Sequence, residues 1–173
     1  MKKGIVLVLS ILCIGMITAN AQSKKELKEQ KKEKEFTEIQ ELIASGNFFF
    51  DANAVYTQSG RRIDLTTNPG TLTFEDGENL ADLPYFGVSQ SAGYGDRTGV
   101  TFEKQKTNYT IETNDKKHSV IIKFNANNSP ETFNIQLTVF ASGTANLDVS
   151  SSHRNFISYQ GKIKPLPKKD TEN

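Results

Sequence analysis

Residues 133–139, FNIQLTV, decide the fold: Phe133, Ile135, Leu137 and Val139 alternate with Asn134, Gln136 and Thr138. A period of two belongs to an extended strand with one face on a core and the other in water, whereas a helix would repeat its apolar residues every three to four positions. The same alternation continues on both sides. Ser142-Gly143 turns the chain into Ala145, Leu147 and Val149, and the final strand sets Ile157, Tyr159 and Ile163 against Ser158, Gln160 and Lys162. Upstream, Asn127-Asn128-Ser129-Pro130 separates this strand from Val120, Ile122 and Phe124, which line one face opposite Ile121 and Lys123. Val100 with Phe102 and Tyr109 with Ile111 make two shorter strands, and Leu72 and Phe74 alternate ahead of the hairpin signal Asp76-Gly77. The first strand places Phe48, Phe50, Ala52, Ala54 and Tyr56 on one face and ends at Gln58-Ser59-Gly60. Hairpin spacing throughout, with no alternation of strands and helices, predicts a mainly β domain: an antiparallel β-sandwich or barrel of about 8–10 short strands.

Helical sequence is confined to the stretch before this domain. Ser23 to Glu35 reads SKKELKEQKKEKE, built of good helix formers with Leu27 as its sole apolar residue, so it predicts a solvated helix or tether. Phe36, Ile39, Leu42 and Ile43 then fall at helical spacing before Gly46, a helix stop. One helix from about residue 24 to residue 45, covering part of the core with its second half, satisfies both observations.

Residues 1–21 read as a secretory leader. Lys2 and Lys3 are the basic start, Gly4 to Ile17 is the apolar stretch, and Ala19-Asn20-Ala21 is a small-residue cleavage pattern, with cleavage expected after Ala21. Cys13 lies inside the apolar stretch with Leu12 before it, a poor context for lipid attachment, and leaves with the leader. The mature chain then has no cysteine and no disulfide, so core packing must hold it together. The expected organisation is a leader at 1–21, a charged helix or tether at 22–46, a β-domain at 47–167 and a disordered tail at 168–173. No transmembrane span is expected once the leader is removed, and the location is periplasmic or secreted.

The length of 173 residues suits one domain rather than two. Removing Lys2 and Lys3 from 21 basic residues leaves 19 against 20 acidic ones, a formal charge of −1 that implies no nucleic-acid partner. Catalytic signatures are missing residue by residue. A structural zinc site needs four N or S ligands, and the mature chain offers only His118 and His153, so no metal and no cofactor is expected. Gly87-Val88-Ser89-Gln90-Ser91 does not fit the nucleophile elbow, and Gly93-Tyr94-Gly95-Asp96-Arg97-Thr98-Gly99 has one residue too many for a phosphate-cradling loop. His118 opens a strand after a polar turn, where exposure is expected.

Leu83 to Gly99, LPYFGVSQSAGYGDRTG, is the segment unlike scaffold. It combines Pro84, the adjacent rings of Tyr85 and Phe86, and Tyr94 among glycines. Such a segment either plugs one end of the core with its rings or forms a binding loop. In the second case Tyr85, Phe86 and Tyr94 form a platform for a sugar, peptide or apolar ligand, and Arg97 and Arg154 are candidate anion contacts through their forked geometry.

The N-terminal strand FFFDANAVYTQSGR, the central LPYFG with its GYG loop, and the ending GTANLDVSSSHRNFISYQGKI resemble the domain-of-unknown-function 4251 family of exported bacterial proteins, across roughly Phe48 to Pro165. The resemblance implies export in a Gram-negative bacterium of the Bacteroidetes type and a shared β-rich domain. It implies no activity, cofactor or catalytic residue. The functional expectation is therefore a non-enzymatic exported module that binds an unknown envelope ligand or protein through residues 83–99. A carboxylate-based glycan-active enzyme and a structural or assembly component of the envelope are the alternatives, and the oligomeric state stays open.

Overall fold

The computed structural model describes residues 24–87 and 99–167. Helix α1 spans residues 24–44. The strands follow as β1 (Phe48–Thr57), β2 (Arg62–Asp64), β3 (Gly70–Glu75), β4 (Glu78–Leu83), β5 (Val100–Lys106), β6 (Tyr109–Asn114), β7 (Ser119–Asn128), β8 (Glu131–Phe140), β9 (Thr144–Ser151) and β10 (Ile157–Pro165). They form one antiparallel sheet in the order β5-β4-β3-β1-β10-β9-β8-β7-β6, with the short β2 pairing beside β1. Between the sandwich and the barrel, the sheet takes an intermediate form: a single curled half-barrel. The curl brings the β3–β5 meander over β6–β8, so that Phe74 meets Phe124 at 5.7 Å between ring centres and Phe102 meets Phe133 at 6.3 Å.

The inward positions of β8, β9 and β10 are those of the alternating pattern, with Phe133, Ile135, Leu137, Val139, Ala145, Leu147, Val149, Ile157 and Tyr159 buried. Two assignments need correction. In β1 the pairing with β10 slips between Ala52 and Ala54, a bulge at Asn53 whose carbonyl instead accepts the Leu65 amide at 2.9 Å. Beyond the bulge Ala54 and Val55 are both buried, while Tyr56 leaves the core face and brings its hydroxyl to 3.5 Å from the Gln160 amide oxygen. His118, expected in water, has a side chain only 12% exposed. Helix α1 covers it: the Phe36 ring meets the imidazole edge-on at 5.5 Å, and Glu29 lies 3.8 Å from its Nε2.

Helix α1 docks by the face that helical spacing marks out. Phe36 and Ile43 are buried, Ile39 and Leu42 pack against the core, and the charged half before them is exposed. The helix stops where Gly46 takes a φ of +68°, its amide donating to the Ile43 carbonyl at 3.1 Å. This helix closes the end of the half-barrel where β7 begins and the β8–β9 turn lies, with Ile39 beside Gly143. The seam between the β5 and β7 sides is sewn by side chains rather than a backbone ladder. Gln105 exchanges two hydrogen bonds with the Asn127 backbone at 3.0 and 3.1 Å, and the Asn128 amide donates to the Thr101 carbonyl at 2.7 Å.

At the centre of the sheet β1 and β10 approach closely across Gly161, where an added Cβ would overlap the Asp51 carbonyl oxygen. Gly161→Ala is expected to destabilise the domain by about 1–3 kcal/mol through forced backbone displacement, read as a lower urea midpoint at unchanged slope. A midpoint equal to that of the unaltered chain would mean that β1 and β10 can separate here without cost.

Candidate functional site

Opposite helix α1, the other end of the half-barrel is closed by the loop after β4 and the loop between β9 and β10. Each residue of Leu83-Pro84-Tyr85-Phe86-Gly87 has a distinct place. Leu83 is fully buried at the end of β4. The Pro84 carbonyl accepts the hydroxyl of Tyr159, a ring buried in β10, at 2.9 Å. The half-buried Tyr85 donates its hydroxyl to the Asn155 carbonyl at 3.1 Å. Gly87 folds over that hydroxyl so closely that a side chain would overlap it. Phe86, between the two, points out and is 43% exposed.

A nearly buried ion pair locks these loops together. Arg154 donates from Nε to both oxygens of Glu131 at 2.9 Å, and one guanidinium NH reaches Glu131 Oε2 at 2.8 Å. The two side chains are 13% and 10% exposed. The other terminal nitrogen of Arg154 donates to the Gly99 carbonyl at 2.8 Å, and Ser151 adds a hydroxyl hydrogen bond to Glu131. The guanidinium also stands 5.3 Å from the centre of the Tyr85 ring, a cation–π contact. A charged pair removed from water needs such additional bonds, because the pairing energy alone does not offset desolvation. Burial raises the phenol of Tyr159 well above the ordinary tyrosine range, and burial also raises that of Tyr85.

Beside this latch lies a groove of about 380 Å³ walled by Pro69, Asp82, Pro84, Tyr85, Phe86 and Thr101. The latch and groove bring together Tyr85, Phe86 and Arg154 from the anticipated set. Tyr94 and Arg97 lie outside the described residues. Arg154, anticipated as an anion contact, directs its guanidinium to Glu131 and Gly99, so its place here is to position the loops. Sequence reasoning missed Glu131. A lone glutamate next to the turn before β8 looks like solvated surface, and only its pairing with Arg154, 23 positions on, distinguishes it. Among the described residues no group of three or more histidine, cysteine, aspartate or glutamate side chains could hold a metal ion.

The chain matches the family described as Domain of unknown function (DUF4251) over residues 30–163. The fold is similar to the crystal structure of a DUF4251 family protein from Bacteroides eggerthii, with a TM-score of 0.57 at 18% identity, covering 76% of this chain and 87% of that one. No curated protein matches the chain.

Two outcomes follow from the latch. Arg154→Ala strands the Glu131 carboxylate away from water and is expected to cost about 3–5 kcal/mol, and the Arg154→Ala, Glu131→Ala double variant less than the sum of the single ones. Urea unfolding of the three variants measures both. The tyrosines give a pH signature: unfolded phenols ionise near about pH 10, the buried ones keep their protons, and the unfolded state then binds fewer protons. Stability therefore falls as pH rises above about 10, and Tyr159→Phe flattens that decline in a urea series across the alkaline range.

Proposed function

Because this chain belongs to the DUF4251 family, whose description assigns no activity, we propose from its own chemistry that it is an exported, non-enzymatic binding module. It takes an apolar or aromatic group of an envelope ligand or protein in the groove beside Phe86. The observation that carries this reading is the contrast within one motif. Leu83, Pro84, Tyr85 and Gly87 are committed to the latch, while the Phe86 ring stands in solvent and makes no ring contact among the described residues. An exposed aromatic on a rigid base loses little conformational entropy when a partner covers it.

The roles divide accordingly. Phe86 supplies the apolar contact and Asp82 and Thr101 the polar rim of the groove. Tyr85 and Arg154 position the loop through Asn155, Gly99 and Glu131. Tyr94 and Arg97, which follow in sequence and lie outside the described residues, complete the proposed ligand-binding set. Export rests on the leader pattern at residues 1–21, and the reading of binding over catalysis rests on a mature sequence that carries neither a nucleophile-elbow nor a phosphate-loop pattern.

Thermal unfolding of the full chain with envelope peptides, lipids and glycans tests the reading. A ligand present at about 100 times its dissociation constant adds about 2.7 kcal/mol of stability. The shift is expected to vanish in Phe86→Ala, whose own melting temperature stays that of the unaltered chain because the ring is exposed. A shift that survives Phe86→Ala, or no shift with any of the three classes, overturns it.

A further inference from the structure

The outer face of β7, β8 and β9 carries a second groove of about 380 Å³, walled by polar side chains and by the ring of Phe156. The strand register fixes its layout. Lys123, Gln136, Asp148 and Ser158 lie side by side on adjacent strands as one rung. Asn125, Asn134 and Ser150 form the next. Neighbouring strands stand about 4.8 Å apart and successive rungs about 7 Å, so the polar groups form a grid whose spacing suits the hydroxyls of a pyranose ring.

What sets this face apart from ordinary solvated sheet is the combination of uncommitted polar groups with an exposed ring. The side chains of Asn125, Asn134, Gln136 and Ser150 make no hydrogen bond among the described residues. Three are amides, each able to donate and accept at once, as sugar hydroxyls require. Phe156 is 45% exposed at the edge of the groove and offers a flat apolar surface to the C–H face of a sugar. It follows Asn155, whose carbonyl is held by Tyr85, so the ring sits on a fixed base.

The charges select the kind of glycan. Lys123 is paired with Glu112 at 2.9 Å, and among the described residues Asp148 is the sole carboxylate lining the groove, accepting the Ser158 hydroxyl at 2.6 Å. Among the described residues no uncommitted cation faces the groove to attract phosphate, sulfate or a uronic acid. We propose that this face, centred on Asn134, Gln136 and Phe156, binds a neutral glycan. The site stands apart from the groove beside Phe86 and does not depend on it.

Affinity electrophoresis of the full chain through gels containing soluble β-1,3-glucan, mannan or starch, with polygalacturonate as the anionic comparison, tests the assignment. At least one neutral polysaccharide is expected to retard the protein. The apparent dissociation constant should rise at least tenfold in Phe156→Ala and in Gln136→Ala at unchanged urea midpoint, while Phe86→Ala behaves as the unaltered chain. Retardation by none of the three neutral polysaccharides overturns the proposal. So does retardation that persists in both Phe156→Ala and Gln136→Ala, that is lost in Phe86→Ala alone, or that is stronger with polygalacturonate.

Discussion

A sheet that curls without closing leaves two edge strands whose backbone groups have no ladder partner, and everything else in this fold answers that constraint. The curl stops with β5 and β6 as edges. The gap is sealed by other means: amide side chains of Gln105 and Asn128 stand in for ladder bonds along the seam, helix α1 covers one end, and the Glu131–Arg154 pair draws the loops together over the other. Side chains can do this only where their partners are held to within tenths of an ångström.

Strand identity was legible in the sequence wherever one face is buried and the other wet, because period two follows from the pleat alone. Phe133 to Val139 and Val120 to Phe124 needed nothing more. Legibility failed where a neighbour distant in sequence decides the outcome. The bulge at Asn53 depends on Leu65 and Gly161, so Tyr56 moved off the face that simple alternation gave it. Strand β4 is not legible as a strand because Asn79, an inward position, is polar, and its partner Thr107 lies 28 residues away. His118 was assigned to water because its cover, Phe36, arrives from a helix at the far end of the sequence.

The candidate site divides in the same manner. Most of the unusual composition of Leu83 to Gly87 serves the framework: a buried anchor, a carbonyl acceptor, a clamped ring and a glycine with no room for a side chain. Composition cannot separate a ring that holds a loop from a ring that the loop presents. Burial separates them at once, and it also singles out Phe156, which no motif marks. Phe86 and Phe156 each come one residue after a member of the Tyr85–Asn155 hydrogen bond.

The end of β4 and the start of β5 are tied to each other and to the loop before β10. Gly99 sits against the Leu83 carbonyl, where an added Cβ would stand 2.8 Å from the oxygen, and its own carbonyl is held by Arg154. A bulkier residue at position 99 would therefore disturb the approach of β4 to β5 and the grip of Arg154 at once. Gly99 is in this sense a rivet, through which a displacement of one loop is passed to the other.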